Sequence, residues 1–121
     1  MKLICVIEDN SAIRKLFCTL LKKGGYETID FYEGTAALNE LQTLKPNLII
    51  MDILLPDING TELISKVKKI SGLANVPIIA VTGFAAAQDE EKFKELGFTS
   101  YFSKPINTAM FLEEIANILP P

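Results

Sequence analysis

Five short apolar stretches alternate along the chain with five stretches whose apolar residues recur every three or four positions. The first kind predicts β-strands and the second predicts amphipathic helices, so the chain is expected to run strand then helix five times. Such alternation is typical of a parallel sheet with crossover helices on both faces. We therefore predict an α/β fold of the doubly wound (βα)5 type. The strand order 2-1-3-4-5 is expected from this fold class and not from composition.

The bounds of the predicted elements follow from the apolar runs and the turn formers between them. The strands are expected at residues 2–7, 27–31, 48–52, 77–82 and 99–103. The helices are expected at residues 11–23, about 34–44, about 63–70, 88–96 and 107–119, the third closing near Gly72. Asn10 or Ser11 can cap the first helix. Gly60, in the loop after the third strand, is expected to adopt a left-handed turn.

The third strand carries apolar residues on both faces and ends in Asp52. A continuous apolar run of this kind is typical of a central parallel strand that helices cover on both sides. Residues 27–31 alternate polar and apolar side chains, which favours a place nearer the sheet edge. Asp52 would then lie at the carboxyl end of the central strand, where open α/β sheets bind their ligands.

Length and composition indicate one globular domain. The chain has 121 residues, of which 49% are hydrophobic, so it can bury a substantial core and is neither disordered nor fibrous. The apolar runs are too short to cross a membrane, and Glu8 and Asp9 interrupt the first before it could serve as a secretory signal. A cytoplasmic location is expected. Cys5 and Cys18 lack metal or redox spacing and are expected to be inert thiols.

The chain contains no histidine. This excludes Ser-His-Asp, Cys-His and histidine-based metal sites, so the chemistry has to come from carboxylates, hydroxyls and lysines. The net charge of −3 and the lack of a basic cluster argue against nucleic acid as a direct partner.

Polar side chains stand at the ends of four predicted strands, which would meet at one edge of the sheet. They are, in strand order, Glu8 and Asp9, Asp52, Thr82, and Lys104. Clustered carboxylates need a cation, a lysine or a proton to offset their repulsion, and an all-oxygen ligand set favours Mg²⁺ or Mn²⁺. Structural roles are the alternative: the acids could end a strand or cap a helix, Thr82 could be an ordinary strand residue, and Lys104 a solvated charge. Their joint position at strand ends favours one functional site over these separate structural roles.

Four segments, taken in order, carry a resemblance to a known family. They are Glu8-Asp9-Asn10, residues 51–60 (MDILLPDING), Val81-Thr82-Gly83 and residues 101–105 (YFSKP). On these segments the whole chain resembles the receiver domains of two-component response regulators, and among them the stand-alone type. The resemblance implies a flavodoxin-like fold. It also implies one receiver domain over residues 1–121 with no output domain, because Pro120-Pro121 end the sequence.

The resemblance implies roles for the acids and the loop that follows them. Asp52 would be the phospho-acceptor. Asp9, with Glu8 acting directly or through water, would hold Mg²⁺ together with Asp52 and the backbone carbonyl of Leu54. Glu8 stands where many members of the family have aspartate, a departure that slightly alters the metal ligands.

The resemblance also implies roles for three residues at the ends of the last two strands. Lys104 would pair with the phosphoryl oxygens, and the peptide bond that joins it to Pro105 would be cis. Thr82 would hydrogen-bond the phosphoryl group once it is attached. Tyr101 lies at the position of the switch aromatic, three residues before the lysine. If Thr82 moves toward the phosphoryl group, Tyr101 can turn inward and re-form the face of the fourth helix, fifth strand and fifth helix.

The expected function is that of a phospho-acceptor in a two-component system or phosphorelay. The phosphoryl group would come from a histidine kinase or a histidine phosphotransfer protein, and the output would go to a downstream target protein. The chain would be a monomer or weak dimer, and not a turnover enzyme. The resemblance implies that Leu54 and Phe84 flank the site where the family tunes hydrolysis. Both are apolar and offer no group to orient water, which predicts slow self-dephosphorylation. Ala85-Ala86-Ala87, small and apolar, predicts a mobile segment after the fourth strand.

Three other functions agree with parts of the pattern. A receiver fold could act as an interaction scaffold without phosphorylation, although the intact acid set disfavours this. An unrelated α/β aspartyl-phosphate phosphatase would also use a strand-end aspartate, but it needs a second acid two residues later, where this chain has Leu54. FMN binding is disfavoured because no glycine- and hydroxyl-rich phosphate loop follows the first strand.

Overall fold

The computed structural model describes the backbone of residues 1–83 and 87–121 and the side chains of residues 1–83 and 90–121. Within these residues the chain alternates five strands and five helices, in the order that the sequence predicts. The strands are β1 (Leu3–Ile7), β2 (Glu27–Phe31), β3 (Leu48–Asp52), β4 (Ile78–Thr82) and β5 (Ser100–Ser103). The helices are α1 (Ser11–Lys23), α2 (Gly34–Leu41), α3 (Gly60–Lys68), α4 (Ala87–Leu96) and α5 (Thr108–Ile118). Phe84, Ala85 and Ala86, to which the sequence analysis gave roles, lie outside the described residues.

The strands form one parallel sheet in the order β2-β1-β3-β4-β5, which confirms the doubly wound α/β prediction. β3 is central, and every residue of β3 and of its neighbour β4 is buried, as expected for continuous apolar strands. β2 lies at an edge and exposes Glu27 and Asp30, in agreement with its alternating pattern. Ile7 of β1 pairs with Met51 of β3, so the next residue of each segment, Glu8 and Asp52, lies at the same edge of the sheet.

The sheet separates two apolar layers, because side chains alternate between its faces along each strand. Cys5 and Ile7 of β1 belong to the layer that α2, α3 and α4 cover. Ile4 and Val6 belong to the layer that α1 and α5 cover. β1 therefore contributes to both layers. Among the helices of the described residues, none combines the length and the apolar character needed to cross a bilayer.

Helix α2 is shorter than predicted and ends at Leu41 instead of near residue 44. The backbone tightens there, because the amides of Thr43 and Leu44 both donate to the carbonyl oxygen of Glu40. Lys45 Nζ donates to the Leu41 carbonyl oxygen over 3.3 Å, so a side chain satisfies this helix end in place of a further helical turn.

The prediction of a left-handed turn at Gly60 is wrong. Positive φ angles occur at Gly25, Gly72 and Gly97, whereas Gly60 begins α3. A Cβ atom at Gly60 would lie 2.8 Å from the Cα of Ile53. Glycine is required there because two backbone segments approach each other closely, and not because of its φ angle.

The packing of α5 gives a test of the fold. Phe111 is fully buried and stacks on Phe17 of α1, with ring centroids 5.1 Å apart. Replacement of Phe111 by alanine is expected to lower the free energy of unfolding by about 3–5 kcal/mol, because it leaves a cavity between the two helices and the sheet. Urea unfolding followed by far-ultraviolet circular dichroism measures this loss.

Met110 provides the matched control on the same helix. Its side chain is 49% exposed, so Met110→Ala is expected to change the free energy of unfolding by at most about 0.5 kcal/mol. Equal losses in the two variants would contradict the packing of α5 described above.

Candidate functional site

The carboxyl edge of the sheet brings the predicted acids together. Asp52 ends β3, and Glu8 and Asp9 directly follow β1, the neighbouring strand. Carboxylate oxygens of the three residues lie within 4.8 Å of one another. Glu8 and Asp52 are buried, whereas Asp9 is exposed. Buried carboxylates this close repel each other unless a positive charge or a proton offsets them.

Lys104 supplies a positive charge from the end of β5. Its Nζ lies 3.1 Å from Asp52 Oδ2 and 3.0 Å from Glu8 Oε1. Its amide donates to the Thr82 carbonyl oxygen over 2.8 Å, which continues the pairing of β5 with β4. The peptide bond between Lys104 and Pro105 is cis, as the resemblance implies. One ammonium group thus faces two buried acids.

Both oxygens of Asp52 have partners. Oδ1 accepts a hydrogen bond from the amide of Leu54 over 3.0 Å, and Oδ2 accepts one from Lys104 over 3.1 Å. Together these bonds fix the orientation of the carboxylate. The Leu54 side chain is 67% exposed, so it is the backbone of this residue that contacts the acid cluster.

Glu8 is the most deeply buried acid of the cluster. Its Oε2 accepts a hydrogen bond from the amide of Asn10 over 3.1 Å. Its Oε1 accepts no well-aligned hydrogen bond from the described residues, and Lys104 approaches it at ion-pair distance. Burial raises the pKa of Glu8 to about 7, and the neighbouring Asp52 adds to this effect. Burial by itself would lower the pKa of Lys104, but its two carboxylate partners outweigh burial and raise that pKa.

The donor set of the cluster fits a hard divalent cation. It consists of oxygen atoms alone. Three carboxylates contribute to it and the ammonium group of Lys104 pairs with two of them, which leaves an excess of negative charge when all are ionised. The buried Oε1 of Glu8, without an aligned hydrogen bond from the described residues, is the kind of atom that such a cation would satisfy. Mg²⁺ and Mn²⁺ are the cations that prefer these ligands.

Comparison with known proteins identifies the family. A family profile described as the response regulator receiver domain matches residues 4–116. The chain belongs to this family. It is similar to the polar-differentiation response regulator DivK of Brucella anthropi, with 41% identity over 118 residues that cover 98% of this chain and 96% of that protein. The receiver domain is therefore a component of two-component signalling, as its sequence predicts.

Solved structures share the fold of this receiver domain. The chemotaxis response regulator CheY4 of Vibrio cholerae superposes with a TM-score of 0.92 and 26% identity, over 98% of this chain and 99% of that one. The receiver domain of the sensor histidine kinase PA1611 of Pseudomonas aeruginosa superposes with a TM-score of 0.85 and 25% identity, over 96% and 95% of the two chains. That structure is described with a magnesium ion coordinated in the active site cleft.

The two predicted switch residues of the receiver domain lie on the adjacent strands β4 and β5. Thr82 ends β4 and is buried. Tyr101 is half-buried, and its ring centroid lies 5.8 Å from that of Phe93 in α4. In the sheet register Tyr101 pairs with Ala80, two residues before Thr82. Tyr101 thus packs against α4, apart from the acid cluster.

Arg14 is a residue of the site that the sequence analysis did not single out. Its Nη1 donates to the backbone carbonyl oxygen of Glu8 over 2.8 Å, and its Nε donates to Asp30 of β2 over 2.9 Å. Arg14 therefore ties the backbone of the acidic pair to the edge strand. A basic residue one turn into the helix after an acidic pair is too common a pattern to reveal this contact in advance.

The pKa of Glu8 predicts how stability depends on pH in Mg²⁺-free solution. Its folded-state pKa of about 7 exceeds the ordinary value of 4.5, so the folded protein binds this proton more tightly than the unfolded chain does. The resulting stability is complete below pH 4.5 and is lost as the pH rises through 7. Thermal unfolding between these two values should show the midpoint falling with pH.

Glu8→Gln is the control for this pH dependence, because glutamine does not titrate. Its unfolding midpoint is expected to fall less over the same range. If wild type and Glu8→Gln gave parallel curves, another group would be responsible.

Proposed function

We propose that this receiver domain accepts a phosphoryl group on Asp52 from a phosphohistidine of a histidine kinase or a histidine phosphotransfer protein. The observation that carries the proposal is the position of Asp52, a buried carboxylate at the end of the central strand whose Oδ2 faces the ammonium group of Lys104 at 3.1 Å. These 121 residues contain no histidine, so the donor histidine lies outside them.

In the proposed transfer, one carboxylate oxygen of Asp52 attacks the phosphorus atom of the donor. The new P–O bond forms as the P–N bond to the donor imidazole breaks, and the imidazole nitrogen leaves with the electron pair of that bond. Lys104 offsets the negative charge on the phosphoryl oxygens in the transition state. Once the group is attached, Thr82 donates its hydroxyl to one of these oxygens.

Four groups are proposed to hold Mg²⁺, or Mn²⁺ in its place. They are the carboxylates of Glu8, Asp9 and Asp52 and the backbone carbonyl of Leu54. When bound, the ion would neutralise charge on the transferred oxygens. The all-oxygen acid cluster supports this proposal, as does the magnesium ion described in the receiver domain of PA1611. Glu8 would release its proton on binding, because metal ligands have to be deprotonated.

The proposed output passes through Tyr101 to the face of α4, β5 and α5, where a downstream target protein would bind. Attraction of Thr82 to the phosphoryl group would let Tyr101 change its packing against Phe93, 5.8 Å away between ring centroids. A shift from 1:99 to 99:1 between two states needs about 5.5 kcal/mol of differential interaction. Charge-assisted hydrogen bonds and a change in aromatic packing can supply much of this energy.

The receiver domain would work as a switch or relay carrier and not as a turnover enzyme, since the phosphoryl group remains on its own side chain. We place it in the cytoplasm, where ATP supplies histidine kinases and where free thiols such as Cys5 and Cys18 persist. A monomer or weak dimer suffices for this role. The alternative, a phosphorylation-independent scaffold, leaves the buried acids and Lys104 without a function.

Phosphorylation by a small donor tests the proposal. Wild-type protein incubated with acetyl phosphate and Mg²⁺ should gain the mass of one phosphoryl group, measured by intact-protein mass spectrometry. Asp52→Asn should gain none, because the amide is not a nucleophile of this kind. Glu40→Gln, which changes an exposed acid on α2, should behave as wild type. An adduct that persists in Asp52→Asn would remove Asp52 from this role, and no adduct in wild type would favour the scaffold.

The exposed side chain of Leu54 predicts slow loss of the phosphoryl group. An apolar side chain beside Asp52 cannot orient an attacking water molecule, so the phosphorylated protein should persist for minutes or longer at neutral pH. Leu54→Asn should shorten the half-life several-fold, because its amide can hydrogen-bond water, whereas Leu54→Val should not. The half-life of the phosphoryl group in all three proteins is measured from the decay of the phosphorylated mass with time. A wild-type half-life of seconds would contradict this prediction.

A further inference from the structure

Helix α2 is capped by a residue from a different loop. Glu33 occupies the N-cap position of α2, but its side chain makes no capping hydrogen bond. Asp57, in the loop between β3 and α3, provides the cap: Oδ1 accepts from the Gly34 amide over 3.0 Å and Oδ2 accepts from the Thr35 amide over 2.7 Å. The hydroxyl of Thr35 donates to the same Oδ2. Burial alone would raise the pKa of Asp57, but the hydrogen bonds from Thr35 and Gly34 lower it, so the cap is ionised at neutral pH.

Close apolar packing accompanies this cap. A Cβ atom at Gly34 would lie 2.3 Å from Ile58 Cγ2 and 3.1 Å from Leu63 Cδ2. The start of α2 therefore fits directly against the loop of residues 53–59 and the first turn of α3. Glycine is needed at position 34 to leave this space, and the cap holds the two segments in contact.

Hydrogen bonds also connect the loop of residues 53–59 to the acid cluster. The amide of Gly60 donates to the Ile53 carbonyl oxygen over 2.8 Å, and Leu54 and Asn59 form an antiparallel bridge. At the other end of the loop, the Leu54 amide donates to Asp52 Oδ1 over 3.0 Å. A shift of the loop at Asp57 would therefore move the Leu54 backbone relative to Asp52.

We propose that Asp57 is a positioning residue for the metal site. By capping α2 it would hold the loop 53–59, and with it the backbone of Leu54, in the place where Mg²⁺ is bound. The inference rests on the proposed function, in which Leu54 and Asp52 are ligands. Mg²⁺ requires nearly ideal octahedral geometry, so a loop that loses its attachment offers its carbonyl less often in the required position.

Titration of the metal-free full chain with MgCl₂ in a calorimeter near neutral pH tests the proposal. Asp57→Ala should weaken Mg²⁺ binding about tenfold, the lower end of the range for residues that support metal ligands. Asp57→Asn keeps one acceptor oxygen and should lose less of the Mg²⁺ affinity than Asp57→Ala. The thermal unfolding midpoint of each metal-free variant is measured in parallel, to separate loss of affinity from loss of stability.

Lys45 provides the matched control at the opposite end of the same helix. Its Nζ donates to the carbonyl oxygens of Leu41 and Ser71, over 3.3 and 2.8 Å, and so ties the end of α2 to the connection between α3 and β4. Lys45→Met removes this attachment, which lies on the side of the amino ends of the strands, whereas the acids lie at their carboxyl ends. It should lower the unfolding midpoint as Asp57→Ala does, but leave the Mg²⁺ affinity unchanged.

The outcomes separate the two proposals. If wild type binds no Mg²⁺, the proposed metal site itself is wrong. If wild type binds and the Asp57 variants bind equally well, Asp57 is a structural cap and the inference fails. Equal weakening in Asp57→Ala and Lys45→Met would also overturn it, because general destabilisation would then explain the loss. If Asp57→Ala does not fold, the affinity of Asp57→Asn decides between these results.

Discussion

Two carboxylates, Glu8 and Asp52, are buried at the edge of the sheet, and the ammonium group of Lys104 lies within 3.1 Å of both. Transfer of charges out of water costs several kcal/mol for each ion unless opposite charge compensates for it. One ammonium group compensates only in part, because the exposed Asp9 adds a third carboxylate nearby. Burial, together with the neighbouring Asp52, raises the pKa of Glu8. The excess of negative charge makes the cluster attractive to a divalent cation.

The parallel sheet makes this arrangement possible. The groups of the cluster stand at the carboxyl ends of β1, β3 and β5, which are far apart in the sequence, and parallel strands bring these ends to one edge of the sheet. The helices cover both faces of the sheet, and Glu8 and Asp52 are buried at its carboxyl edge. Arg14 ties the backbone of Glu8, just after β1, to Asp30 of β2. Asp57 ties the loop after β3 to the start of α2.

The sequence predicted the elements and the strand-end residues well, because both depend on local patterns. Apolar periodicity located β3 and α1, and a strand end is where a polar residue interrupts an apolar run. Asp57 is not recognisable as a cap from the sequence, because the helix it caps starts 23 residues earlier in the chain. A glycine at position 60 suggests a left-handed turn, whereas the structure requires glycine there because the backbone of Ile53 approaches closely. No local pattern distinguishes these two uses.

The sequence by itself determined the order of strands and helices, the edge at which the polar residues gather, and the family to which the chain belongs. These features depend on the period of apolar residues and on the positions of a few polar ones. Tertiary structure alone decided which groups touch: that Lys104 is shared by Glu8 and Asp52, and that α2 ends at Leu41 and is capped by Asp57. Such contacts join residues distant in the chain, and their distances depend on how the helices pack against the sheet.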